Sequence, residues 1–128
     1  MIQSAFRSSI MWQKAMILST STYSATRNFP KEEIFGLTNQ LRRASVSIPS
    51  NIAEDNGRIT KGEFIQFLGI ARGSTLEVQT QLELAARLGY GNKEELDAVQ
   101  ALSIEVLKLL NASISTLQAS IPKRIKTC

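Results

Sequence analysis

A chain of 128 residues with 43% apolar content is long enough for one domain with its own core, and its one cysteine, Cys128, excludes an intramolecular disulfide framework. The absence of histidine removes the usual acid–base residue, the Ser-His and Cys-His dyads, and the imidazole ligands of most zinc, iron and haem sites. Fifteen Lys and Arg against eleven Asp and Glu leave a net charge of +4, which permits an anionic partner without requiring one.

Residues 9–27 place Trp12, Met16, Ser19, Tyr23 and Thr26 at helical steps, with Ala15 and Leu18 widening the stripe and Ser8 or Ser9 as cap. The segment "SSIMWQKAMIL" is broken by Gln13 and Lys14, so neither a signal peptide nor a membrane span is predicted, and the cysteine usage points to the cytoplasm. Asn28, Phe29 and Pro30 end this helix, and Pro30 suits the first turn of the next, where Glu32 and Glu33 favour the positive end of the dipole. The second helix, 31–55, carries Ile34, Leu37, Leu41, Ala44 and Ile48 toward the core and stops at Asn56 and Gly57.

Opposite that core face, Phe35, Asn39, Arg42, Val46, Pro49 and Ala53 form a second stripe. Four of these six residues are apolar. An apolar outer stripe marks a partner surface, here a candidate oligomer interface, although isolated surface apolars are common. Pro49 removes one helical hydrogen bond and crowds the Ser45 carbonyl, at about 3 kcal/mol, so a kink is expected, with Ser45 and Ser47 satisfying the freed groups. Asn51 is either a buried hydrogen-bonding pin or rotated outward.

The third helix, 61–88, opens with a capping box at Thr60 and Glu63 and holds the cleanest seam: Phe64, Leu68, Ala71, Thr75, Val78, Leu82 and Ala85. Gly69 and Gly73, four apart, fit close approach of another helix or chain, or flexibility near a ligand, and Gly89 ends the helix. A second capping-box pattern, Asn92 with Glu95, starts the fourth helix, 93–121, lined by Leu96, Val99, Val106, Leu110, Leu117 and Ile121. The tail, 122–128, carries Lys123, Arg124 and Lys126 and reads as a frayed end or a binding arm. The whole is an all-α, antiparallel up-down-up-down four-helix bundle in one domain, 1–128.

Chemistry is scarce. Glu32 with Glu33, and Glu54 with Asp55, could hold magnesium but read better as helix-end dipole partners. The "RRAS" string at 42–45 resembles a basophilic kinase site but lies in a packed helix, and neither Gly69 nor Gly73 belongs to a phosphate-binding loop. The Asn111-Ala112-Ser113 sequon is an accident of composition. No catalytic residue, cofactor, metal, membrane or small-molecule substrate is expected, and the protein is predicted not to be an enzyme.

The strings "MWQKAM", "FPKEEIFGLTNQLRRASVSIPSNIAE", "NGR", "EFIQFLGIARGS" and "TQLELAARLGY" together resemble the 23S rRNA intervening-sequence proteins, over about residues 11–90. The fourth helix matches in character only. Asp55 stands where that family usually has glycine, which puts the turn into the third helix in question. The resemblance implies a four-helix bundle without established enzymatic activity, assembled as a ring of five, and similar to the basic accessory protein of diversity-generating retroelements. It thereby implies a homo-oligomer, as a pentamer, acting as an adaptor that associates with RNA or DNA. Arg42, Arg43, Arg58, Lys61 and Arg72 are the candidate phosphate contacts. The alternative is a protein scaffold with no nucleic-acid role, in which Arg42 and Arg43 pair with Glu54 or Glu77 across helices or subunits.

Overall fold

The computed structural model describes residues 9–54 and 60–122. The helices are α1 (Ile10–Thr26), α2 (Leu37–Ile52), α3 (Lys61–Arg87) and α4 (Lys93–Ala119), with a single 3-10 turn, Lys31–Glu33, before α2. At 1.5 Å per residue α3 and α4 are each about 40 Å long. Every helix packs on two neighbours, α1 on α2 and α4, α3 on α2 and α4. Side-chain hydrogen bonds between helices give the directions: Ser19 to the Ser45 carbonyl and Arg42 to Thr26, then Ser74 with Ser47 and Gln81 with Gln40, then Lys61 with Ser120 and Arg72 with Asn111. In each series one number rises as the other falls, so consecutive helices are antiparallel, as predicted.

The helix ends follow local chemistry. Ser9 accepts from the Trp12 N–H at 3.0 Å, and Thr60 and Glu63 close a complete capping box. Asn92 accepts from the Glu95 N–H at 3.0 Å. At the end of α3 the Gly89 N–H reaches the Ala86 carbonyl and the Tyr90 N–H the Ala85 carbonyl, a Schellman pair that needs the positive φ of Gly89 (76°). Asp55 and the expected stop at Asn56 and Gly57 lie outside the described residues, as do Ser8 and the basic tail from Lys123 onward.

Helix two departs from its expected bounds. The segment from Lys31 does not run on as α-helix: the 3-10 turn stops at Glu33, and Gly36 (φ −109°, ψ −118°) breaks the path before α2. The cause is Glu33, whose carboxylate turns back to accept from the Leu37 N–H at 3.0 Å. A Cβ on residue 36 would lie 2.5 Å from that carboxylate oxygen, so glycine makes room for it. Ile34, expected in the core, is exposed in consequence.

Glu33 also accepts from the Tyr90 hydroxyl at 2.8 Å, tying this turn to the α3–α4 connection. The Leu37 N–H, and then the Tyr90 hydroxyl, hold the Glu33 carboxyl below its ordinary 4.5, and the same bond raises the Tyr90 phenol. A lowered carboxylate contributes stability above its unfolded value and loses it as pH falls through the folded one. Glu33→Gln should therefore flatten the fall in melting temperature between pH 5 and pH 3 (about the carboxylate range) relative to the parent chain. Parallel profiles would mean that the ionised carboxylate adds nothing to the corner.

The core contains Leu18, Leu41, Ile48, Leu68, Val78, Leu82, Val106 and Leu110, all nearly inaccessible. The α3 seam is buried as predicted from Leu68 to Ala85, with Phe64 half-buried at one end. Helix α1 keeps Ala15, Leu18, Ser19 and Thr26 of its expected face in the core but is rotated so that Thr22 and Ala25 are buried in place of Met16 and Tyr23. Its buried residues are Ala15, Leu18, Ser19, Thr22, Ala25 and Thr26, whereas Met16 and Tyr23 are exposed and Trp12 is half-buried. Thr22 and Thr26 can be buried because their hydroxyls donate to the carbonyls of Leu18 and Thr22, each at 2.8 Å.

Candidate functional site

The predicted outer stripe of the second helix divides three ways. Phe35 precedes α2 and stands 91% exposed in the turn. Asn39 borders the α2–α3 groove beside Gln40 and Arg43. Val46, Pro49 and Ala53 instead meet α1, where with Trp12, Met16 and Tyr23 they line an open groove of about 630 Å³. The expectation that Pro49 faces outward is thus corrected. Pro49 is buried at the α1–α2 contact, because α1 has turned its small residues inward and its larger ones toward α2.

Pro49 shapes this groove through the backbone. Its missing N–H frees the Ser45 carbonyl inside the bundle. The Ser19 hydroxyl of α1 donates to that carbonyl at 2.6 Å, with the Ala15 carbonyl a longer neighbour at 3.1 Å. The expected helpers act elsewhere: the Ser45 hydroxyl donates to the Arg42 carbonyl, and the Ser47 hydroxyl accepts from Asn51 at 3.0 Å and lies 2.9 Å from the Ser74 hydroxyl of α3. Asn51, left open between two orientations, is half-buried and joins this α2–α3 polar chain, donating also to the Ser47 carbonyl at 2.7 Å.

Arg42 turns toward α1 as well. Its Nε donates to Thr26 Oγ1 at 2.9 Å, a terminal nitrogen reaches the Tyr23 carbonyl at 3.5 Å, and its guanidinium carbon lies 4.8 Å from the centre of the Tyr23 ring. A guanidinium stacked and bonded in this way fastens α2 to α1 and holds the Tyr23 ring at the groove's edge. Among the described residues Arg42 forms no ion pair with Glu54 or Glu77; the ion pairs are Lys14 with Glu105, Arg87 with Glu83, and Lys93 with Asp97.

The remaining candidate cations are not gathered. Arg43 faces the α2–α3 groove, which Glu77 also lines. Arg72 donates to Asn111 Oδ1 at 2.7 Å and Lys61 to the Ser120 hydroxyl at 3.1 Å, both on the α3–α4 side. Arg58 lies outside the described residues. Arg42 and Arg43, adjacent in sequence, thus turn toward different helices, and among the described residues the candidate set builds no single basic face on one copy of the chain.

Gly69 and Gly73 are exposed, and a Cβ on either would meet nothing within 4 Å among the described residues, so no described helix makes the close approach their spacing suggested. Among the described residues no group of three or more His, Cys, Asp or Glu is placed to hold a metal ion. No described helix is long and apolar enough to cross a membrane. The Ser19 bond to Ser45 could have been half foreseen, since a proline inside a helix orphans the carbonyl four residues earlier. Nothing local named its donor.

Comparisons with known proteins add to this geometry. A family model described as the 23S rRNA-intervening sequence protein matches residues 7–112. The solved structures include a similar one, a protein of unknown function from the S23 ribosomal protein family of Bacteroides thetaiotaomicron VPI-5482. It is 27% identical, with a TM-score of 0.73, over 82% of this chain and 98% of that one. No curated protein matches.

Proposed function

The chain belongs to the 23S rRNA-intervening sequence protein family, and from that membership and the exposed groove we propose a non-enzymatic, cytoplasmic helical bundle that assembles with copies of itself, as a ring of five, into an adaptor. The observation that carries the assembly is the groove between α1 and α2. There Met16, Tyr23 and Val46 are 38%, 41% and 42% exposed beside the half-buried Trp12, side by side rather than scattered. Contiguous apolar surface of this kind is what a partner covers.

The test is molar mass in solution. The parent chain should run at a multiple of its 14.1 kDa. Val46→Asp, which puts a charge into the groove, should keep its helical circular dichroism and run as a single chain. A mutant with the parent's multiple mass would remove the groove from the assembly.

Association with RNA or another nucleic acid is the second part of the proposal, supported by the net charge of +4 and by Arg43, Arg72 and Lys61 on the surface. Three scattered cations in one copy make weak contacts, which a ring would multiply. Binding to structured RNA should then fall steeply from low to moderate salt, because each neutralised phosphate releases counterions. Arg43→Glu should weaken it while leaving the assembly intact. Should Arg43→Glu instead split the assembly with no RNA bound by the parent, the protein is a scaffold in which Arg43 pairs with an acid of a neighbouring copy.

A further inference from the structure

Two features of the bundle have complementary shapes and no occupant among the described residues. Phe35 is the most exposed large apolar residue described, at 91%, and Ile34 beside it is 53% exposed. They project from the turn because Glu33 doubles back to cap α2, and Gly36 after them adds no side chain to blunt the point. The second feature is the α1–α2 groove, about 630 Å³ and walled by Trp12, Met16, Tyr23, Val46 and Pro49, wide enough for an aromatic side chain with its neighbour.

Building on the self-assembly reading, we propose that the turn carrying Ile34 and Phe35 in one copy seats in the α1–α2 groove of the next. Charge selects this occupant over an arbitrary apolar one. Among the described residues Arg27 is the one charged residue lining the groove, with Arg42 stacked on the groove residue Tyr23. The turn offers Lys31, Glu32 and Glu33; Glu33 is engaged with Leu37 and Tyr90, and Glu32 is exposed next to the two apolar residues. An aromatic knob with a carboxylate at its base thus faces an apolar groove with a guanidinium at its rim. The aromatic ring supplies the buried area, about 150–250 Å² for a residue of this type, and the charge pair supplies orientation. Knob and groove are different patches of one chain, so each copy offers one of each and the contact is heterologous, the type that closes rings.

That asymmetry provides the experiment. Phe35→Asp destroys the knob and keeps the groove; Val46→Asp destroys the groove and keeps the knob. Each variant alone should run as a single chain in size exclusion with light scattering, with helical circular dichroism retained. An equimolar mixture should yield a species of two chains and no larger, because one intact knob can meet one intact groove. Met16→Glu replaces Val46→Asp if the latter loses helicity. Phe35→Asp at the parent's multiple mass, or a mixture that stays as single chains, overturns the knob-in-groove contact while leaving self-assembly standing. A parent chain that is itself single at all concentrations overturns the assembly reading beneath it. In addition, Arg27→Glu should weaken association at least tenfold and Glu32→Arg in the same chain should recover it; failure to recover overturns the proposed register.

Discussion

Gly91→Ala is expected to destabilise the bundle by about 2–5 kcal/mol, and Gly89→Ala, two residues earlier, by only about 1–2 kcal/mol. Both glycines have positive φ, 69° and 76°, so alanine strains the backbone at either position. They differ in what a side chain would meet. At residue 89 a Cβ finds open space, whereas at 91 it would lie 2.9 Å from Phe29 Cε1 and 3.3 Å from Cδ1. Phe29 cannot swing aside cheaply: it is 7% exposed, and its ring packs 5.7 Å, centre to centre, from Tyr90. The overpacking therefore adds to the strain at 91 alone. Urea unfolding of the two variants measures the difference directly, and equal losses would mean that Phe29 yields without cost. The same corner holds Tyr90 against Glu33, so Gly91→Ala should also loosen the turn that presents Phe35.

Ser19→Ala should cost about 1–3 kcal/mol, the penalty for leaving the Ser45 carbonyl buried without a donor. The loss belongs to a pair of residues on different helices. Only because Pro49 lacks an N–H does the Ser45 carbonyl need a hydroxyl from α1. In a Pro49→Ala chain the helix supplies its own donor to that carbonyl, so Ser19→Ala should there cost at least about 1 kcal/mol less than in the parent. Sites with no shared partner add within about 0.3–0.5 kcal/mol, which sets the scale for the double-mutant cycle. A cost for Ser19→Ala that is the same in both backgrounds, within that margin, would show that Pro49 and Ser19 are not linked through the Ser45 carbonyl.

Gly89 as a helix stop was legible because a Schellman pair closes within six residues. That Gly91 lies under the Phe29 ring was not, because the two residues meet only after α1 and α4 are brought together. The candidate site divides in the same way. Arg42 and Arg43 were visible as a basic pair, but their adjacency in sequence concealed that a step of about 100° around a helix sends one to α1 and the other toward α3. The apolar stripe of Val46, Pro49 and Ala53 was visible too. Its direction was not, since α1 could equally have offered a wall or a gap beside it.

The sequence by itself determined the helical architecture, the ends of α1, α3 and α4 to within about two residues, and the buried seam of α3. Each of these depends on bonds spanning three to six residues or on one strong apolar period. Only the tertiary structure decided which side of α1 became core. Trp12, Met16 and Tyr23 carry more apolar surface than Thr22 and Ala25, and periodicity favoured them. Yet α1 must pack on α2 and α4 at once, and its small residues are the ones that allow that approach. The larger side chains were thereby moved to the flank facing α2, where with Val46 and Pro49 they became the wall of a groove. The surface on which the proposed assembly depends is a consequence of how two helices share a core.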